Sequence, residues 1–218
     1  MSDAAPRRRK VLDEIAAAAK LARRAADEAT LVAVSKTRSA EAIEELIAAG
    51  QRHFGENRVQ EALAKWPSLR ARHPDLTLHC IGQLQTNKAA EAVGLFDVIH
   101  SLDRPSLLEA LVRDAGKAGR SPSVYVQVNI GEEEQKGGCA ISATGGLVSA
   151  VRASPLPLAG LMAIPPLGVE PGPYFALLAR LAHELGVTGL SMGMSADYKA
   201  AVMLGATTVR IGTALFED

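Results

Sequence analysis

The sequence predicts a closed parallel (β/α)8 barrel of the TIM type, built as a single α/β domain over residues 1–218. Three observations predict it. Eight short aliphatic or β-branched runs recur along the chain, amphipathic helical stretches lie between them, and glycine or proline marks the junctions. The composition allows a large aliphatic core, with 48% hydrophobic but 4% aromatic residues. An open doubly wound sheet shows the same alternation and is the alternative architecture. No Gly-x-Gly-x-x-Gly follows the first strand, so a dinucleotide site is not indicated.

The elements follow in order. A helix is predicted over about residues 6–28, where Leu12, Ile15, Ala19, Ala22 and Ala26 recur at three- and four-residue spacing. Strands are predicted at 31–35, 52–55, 77–81, 98–100, 124–129, 158–162, 189–191 and 208–211. Among the helices between them, 40–49 is closed by Gly50 and 57–66 stops before Pro67. The helix at 104–118 carries Pro105 in its first turn. Those at 173–185 and 196–204 end at Gly186 and Gly205. Few residues follow the eighth strand, so the N-terminal helix is expected to pack in place of the last barrel helix. The loop 131–138, with three successive glutamates, is expected to be mobile.

Charge and cysteine content exclude several classes. The 24 basic and 24 acidic side chains cancel, which gives no global attraction to nucleic acid or membrane. The basic cluster 7–10 opens a helix that soon carries Asp13 and Glu14, and reads as a solvated helix end. Cys80 and Cys139 make no disulfide framework, and no His/Cys group has metal-ligand spacing. Cys80 is expected to be a small buried hydrophobe. No signal-peptide core or run of roughly 20 apolar residues is present. Acidic residues at 3, 13, 14, 27 and 28 argue against a transit peptide. A cytoplasmic protein, monomeric or weakly dimeric, is expected.

Barrel chemistry sits at the C-terminal ends of the strands. Lys36 ends the apolar run that begins at Leu31. Partial burial there would disfavour an ammonium and leave an amine able to attack a carbonyl. Alone, a strand-end lysine keeps its head in water. Downstream, Ser191-Met-Gly-Met-Ser195 and Arg210-Ile-Gly-Thr213 have the character of two halves of a phosphate cradle after strands seven and eight. Gly193 allows close backbone approach, and Ser195 is placed to start the helix at 196–204. Gly212 and Thr213 offer backbone N–H groups, and Arg210 can neutralise a phosphate or face a pyridine nitrogen. An amine beside a phosphate site suggests pyridoxal 5'-phosphate (PLP). Asn57 lies at the second strand end, where it can also cap a helix. His79 and His100 have no carboxylate partner in sequence, His53, His73 and His183 read as structural or exposed, and no hydrolase triad is supported.

With these residues in view, the chain resembles the YggS/PROSC family of PLP homeostasis proteins over nearly its full length. The resemblance is carried by Ala33-Val-Ser-Lys-Thr37, Phe54-Gly-Glu-Asn57 with Val59-Gln-Glu61, and His79-Cys-Ile-Gly-Gln-Leu-Gln-Thr-Asn-Lys88. It continues through Ile99-His-Ser-Leu-Asp-Arg104, Val126-Gln-Val-Asn129, Gly160-Leu-Met162, Leu190-Ser-Met-Gly-Met-Ser-Ala-Asp197 and Val209-Arg-Ile-Gly-Thr213. It implies a barrel like that of alanine racemase, with PLP as a Schiff base on Lys36. It further implies phosphate contacts near Ser191, Ser195, Arg210, Gly212 and Thr213, with Asn57 near the cofactor. Gln83 stands where many relatives carry histidine. The implied role is to hold PLP and deliver it to apo forms of PLP-dependent enzymes, without strong turnover. A racemase acting through Lys36 is the alternative, and a PLP-free Schiff-base aldolase a third.

Overall fold

The computed structural model describes residues 4–216. Eight parallel strands close into a barrel in sequential order, which rules out the open sheet. They are β1 (Thr30–Val34), β2 (His53–Glu56), β3 (Thr77–Cys80), β4 (Val98–Leu102), β5 (Ser123–Gln127), β6 (Leu158–Met162), β7 (Leu190–Ser191) and β8 (Thr208–Ile211). Closure is made by β1 on β8, with Val32 opposite Arg210 and Ala33 opposite Ile211. The outer ring comprises α1 (Ala4–Leu21), α2 (Ala40–Ala48), α3 (Val59–Arg72), α4 (Ala89–Leu95), α5 (Pro105–Ala118), α6 (Thr144–Arg152), α7 (Gly172–Glu184) and α8 (Tyr198–Met203). A four-residue turn of helix, α9 (Thr213–Phe216), follows β8.

The two faces of each strand meet different layers. Phe54 points outward onto Trp66 of α3, ring centroids 5.3 Å apart. Its neighbour Gly55 faces the barrel axis, where an added Cβ would lie 3.0 Å from side-chain atoms of Val32 and Ile81. Burial of Trp66, Phe96, Phe175 and the aliphatic strand residues supplies most of the stability, at roughly 1.5–3 kcal/mol for each large side chain.

The N-terminal helix does replace the last barrel helix. It packs on α2, α8 and α9 and buries Val11, Ile15, Ala18 and Ala19. It stops at Leu21, not near residue 28. Arg23 there takes a left-handed conformation, φ 57°. Arg24 then donates to the carbonyls of Val202 (2.7 Å) and Ala206 (3.0 Å), which ties the chain reversal to the end of α8.

Other boundaries depart from expectation for identifiable reasons. Helix α3 runs through Pro67 to Arg72. An interior proline costs about 3 kcal/mol, but full burial of Trp66 and Leu69 on either side offsets it. Helices α4 and α6 carry no strong punctuation in sequence that would set their ends. The loop 131–138 is tied down by its own polar groups. The Asn129 side chain holds both Glu133 N–H and C=O, and Lys136 pairs with Glu133 at 2.6 Å.

Candidate functional site

A cavity of about 180 Å³ opens at the C-terminal mouth of the barrel. Lys36, Asn57, Ser195, Arg210, Gly212 and Thr213 line it, with Val34, Ile81, Ile164 and Met194. Six of the seven residues proposed from sequence thus share one wall-to-wall space. A larger cavity of about 500 Å³ lies outside it, between α1 and α8, and shares Ser195 and Thr213. Of the two, the smaller is the one that Lys36 lines.

Lys36 is exposed, contrary to the partial burial expected of it. Strand β1 ends at Val34, and Ser35 is the last buried residue. The lysine therefore sits on the rim. What constrains it is the backbone. Thr37 has φ 61°, an outlier for a β-branched residue. Its N–H donates to Glu61 Oε1 at 2.5 Å. Lys65 Nζ donates to the carbonyls of Ser35 (2.9 Å) and Arg38 (3.2 Å), on either side of Lys36 and Thr37. Beneath this turn, the fully buried Glu56 accepts at Oε1 from Ser35 Oγ (2.8 Å), Trp66 Nε1 (2.9 Å) and Lys65 (2.8 Å). Glu56 and Glu61 stand in the sequence motifs of the resemblance but had no role there, and Lys65 and Trp66 were missed, although they follow the Glu56-Asn57 motif by one helical stretch.

The loops expected to cradle a phosphate are arranged differently from expectation. Helix α8 begins at Tyr198, so Ser195 is not its first-turn residue. Instead Ser195 Oγ accepts from Gly212 N–H at 3.3 Å and joins the β7–α8 loop to the β8–α9 loop. Asp197 takes the Met194 N–H at 2.6 Å. Gly193 has φ 94°, and a Cβ there would lie 2.5 Å from that of Ala201, so this tight approach requires glycine. Thr213 and Ala214 open α9, and their N–H groups have no partner within that helix.

Ser191 and Arg210 lie deeper. Ser191 is fully buried and absent from the cavity wall, which corrects its expected place at the phosphate. Its hydroxyl accepts from Arg210 Nη1 at 2.5 Å and bonds His100 Nδ1 at 2.7 Å. Arg210 also donates from Nη1 to Ser191 O (2.8 Å) and from Nη2 to Ala163 O (3.1 Å). Its Nε–H and one Nη2–H keep no protein partner among the described residues. Burial pushes this guanidinium down to about 10, so it stays a cation at neutral pH.

Three of the histidines, which lack a carboxylate partner in sequence or read there as structural or exposed, form a chain inside the barrel. His53 Nδ1 lies 3.1 Å from His79 Nε2, and His79 Nδ1 lies 2.9 Å from His100 Nε2. His100 stacks on Tyr125, whose hydroxyl bonds Thr208 at 3.1 Å. Burial pushes His79 down to about 3 and holds His100 well below its ordinary range. A periodic signal existed for part of the chain: in Leu78-His79-Cys80, Leu190-Ser191-Met192 and Val209-Arg210-Ile211 the polar residue sits between two apolar neighbours on the opposite face, whereas His53 and His100 have a polar neighbour on one side.

Asn57 stands on the cavity wall rather than capping α3, whose N-cap is Arg58. Gly82 packs on it so closely that a Cβ would lie 2.1 Å from Asn57 O. Gln83 faces elsewhere, against Gly137 of the β5 loop. Cys80 is buried as expected, its thiol pushed up to about 12 by desolvation. No cluster of metal-ligating side chains and no membrane-crossing helix occurs among the described residues.

Barrel and site together define a protein of the alanine racemase N-terminal domain class: the profile of the family described as "Alanine racemase, N-terminal domain" matches residues 11–218. Within that class the chain belongs to the pyridoxal phosphate homeostasis protein family. It is 44% identical to the protein of that name from Pseudomonas aeruginosa, over 99% of this chain and 96% of the relative. It is 40% identical to the one from Escherichia coli K12, over 99% and 97%. PipY of Synechococcus elongatus PCC7942, solved with PLP bound, superposes with a TM-score of 0.81 at 44% identity, over 93% of this chain and 99% of that one. Alanine racemase from Streptomyces lavendulae shares the fold at 20% identity, with a TM-score of 0.67, over 94% of this chain and 56% of the racemase.

Proposed function

We propose that this protein binds PLP at the mouth of the barrel, holds it reversibly on Lys36 and releases it to apo-enzymes in the cytoplasm. The observation that carries the reading is the shared cavity. An amine on one side, backbone N–H groups on the other and a cationic floor enclose apolar walls of Val34, Ile81, Ile164 and Met194. That set fits a flat heteroaromatic ring bearing an aldehyde and a phosphate. When bound, PLP supplies the aldehyde that a lysine amine captures. The chain's part is to present and orient. Lys36 brings Nζ over the cavity from a braced turn. The amides of Thr213 and Ala214, with the Ser195–Gly212 link, receive the phosphate. Arg210, held below by Ser191 and Ala163, turns its remaining N–H groups to the ring nitrogen. Asn57 closes the side wall.

The test is a visible spectrum of purified protein mixed with PLP, before and after borohydride reduction, followed by mass mapping. Reduction should fix the cofactor on Lys36, and Lys36→Ala should abolish the yellow band. Labelling chiefly at Lys88, Lys136 or Lys199 would defeat the assignment.

A further inference from the structure

We propose that His53, His79, His100 and Ser191 form one directed hydrogen-bond chain through the barrel interior that positions Arg210 to read the ring nitrogen of bound cofactor; the cofactor half of this inference rests on the PLP reading above. TIM barrels ordinarily fill their interior with branched aliphatic side chains. Here four polar side chains from β2, β3, β4 and β7 run in unbroken contact to a fifth from β8.

The direction of the chain follows from its end. A guanidinium can only donate, so the Ser191 oxygen accepts from Arg210. The Ser191 oxygen could also accept from a protonated His100 Nδ1, but its own proton would then have no acceptor in a fully buried site, so the proton goes to His100 Nδ1. A neutral imidazole with an accepting Nδ1 carries its proton on Nε2. His100 Nε2–H therefore donates to His79 Nδ1, and His79 Nε2–H in turn donates to His53 Nδ1. Every donor meets an acceptor, and His53, half-buried at the opposite end, leaves its own Nε2–H to solvent. Reversing any one ring would set two N–H groups or two lone pairs face to face in a buried site, and reversing all three together would leave the Ser191 hydroxyl proton without an acceptor.

The arrangement has a consequence for Arg210. A serine hydroxyl alone can rotate and offer its proton to another acceptor. With that proton committed to His100, its lone pairs stay turned to the guanidinium. Arg210 is then clamped by Ser191 Oγ, Ser191 O and Ala163 O, with its free edge on the cavity floor. His100 and Ser191 are positioning residues, three and two hydrogen bonds from the ligand.

Two measurements test this. The first is ¹⁵N-histidine NMR on the full-length protein without added PLP. His79 and His100 should both be neutral, protonated on Nε2 and bare on Nδ1. Either ring protonated on Nδ1 at neutral pH would overturn the chain. The second compares binding of PLP with its analogue bearing C–H in place of the ring nitrogen. The parent should prefer PLP by about tenfold, the scale of one charged hydrogen bond. Ser191→Ala should mix the histidine tautomers and reduce that preference to about twofold, and Ser191→Thr, which keeps the hydroxyl, should restore both. Unchanged discrimination in Ser191→Ala would overturn the positioning role. If the parent binds PLP but does not discriminate, Arg210 does not read the ring. If the parent binds no PLP, the carrier reading fails, and the tautomers still decide the chain.

Discussion

Lys65 and Glu56 form an ion pair, Nζ to Oε1 2.8 Å, beneath the turn that carries Lys36. Glu56 is fully buried, and its second oxygen has no partner among the described residues. The pair thus joins a buried carboxylate to the two carbonyls that bracket the rim lysine.

Removing one partner should be costly. Lys65→Met strands a buried charge and frees the Ser35 and Arg38 carbonyls, so a loss of about 3–5 kcal/mol in unfolding free energy is expected. Adding Glu56→Gln should recover much of it, because a neutral amide is cheaper to bury unpaired. Urea denaturation of the two variants checks this. A double variant no more stable than Lys65→Met would show that the charge is not the cause. In both variants PLP capture should slow, since the left-handed Thr37 loses the brace that holds it.

The buried histidines predict a distinctive acid limb. In the folded state His79 lies near 3 and His100 well below 6.5, the ordinary value both regain on unfolding. These groups are depressed on folding, so they favour the folded state above about pH 6.5. That contribution fades as pH falls towards their folded values. Each histidine should contribute a slope of about 1.4 kcal/mol per pH unit in that window. Stability of the parent and of His79→Gln, measured from pH 7 to 4, should differ in slope by one proton. Parallel curves would mean that His79 is already charged in the fold.

The barrel was legible because most strands are short apolar runs that alternate eight times with amphipathic helical stretches, and strand order follows chain order up to the β1–β8 closure. The cavity wall was legible too: Lys36, Asn57, Ser195, Gly212 and Thr213 follow strands, Arg210 lies within β8, and all six line one cavity. The interior was not. His53, His79 and His100 are 26 and 21 residues apart, and only barrel curvature brings their inward faces into contact. Ser191 was misplaced for the same reason. Sequence puts it at a strand end, but β7 is two residues long and Ser191 still points into the core. The exposure of Lys36 depended on where β1 stops, a boundary that an apolar run followed by Ser-Lys-Thr does not define.

The N-terminal helix should be integral to the domain. Besides its buried apolar face, Arg7 donates to Leu215 O and Arg8 to Ala49 O, and Tyr198 of α8 donates to Glu14. Ile15→Ala should cost about 2–5 kcal/mol, as for other buried large-to-small changes. Deleting residues 1–28 should abolish cooperative unfolding by exposing the faces of α2, α8 and α9. A truncated protein that melts like the parent would show that these contacts contribute little.

Enzyme-like turnover of amino acids is not expected from this site. Racemisation needs a proton donor or acceptor on each face of the substrate carbon, and Lys36 supplies one. The chain has three tyrosines that could act as the second. Tyr125 is buried in the barrel, bonded to Thr208 and stacked on His100. Tyr198 is turned outward onto Glu14 of α1. Tyr174 lies on α7, and none of the three lines the Lys36 cavity. Each positioned acid–base group is worth roughly 10²–10⁴-fold, so a one-sided site is severely handicapped. The cavity mouth is also open enough to leave Lys36 exposed, and water there weakens any stabilisation of developing charge. The measurement is α-proton exchange of alanine and serine in deuterium oxide with PLP-loaded protein, run beside the rate of PLP transfer to an apo-enzyme. Slow exchange with prompt transfer is expected. Stereoinversion at a rate typical of enzymes, lost in Lys36→Ala, would establish a racemase instead and would require a second base from outside the barrel described.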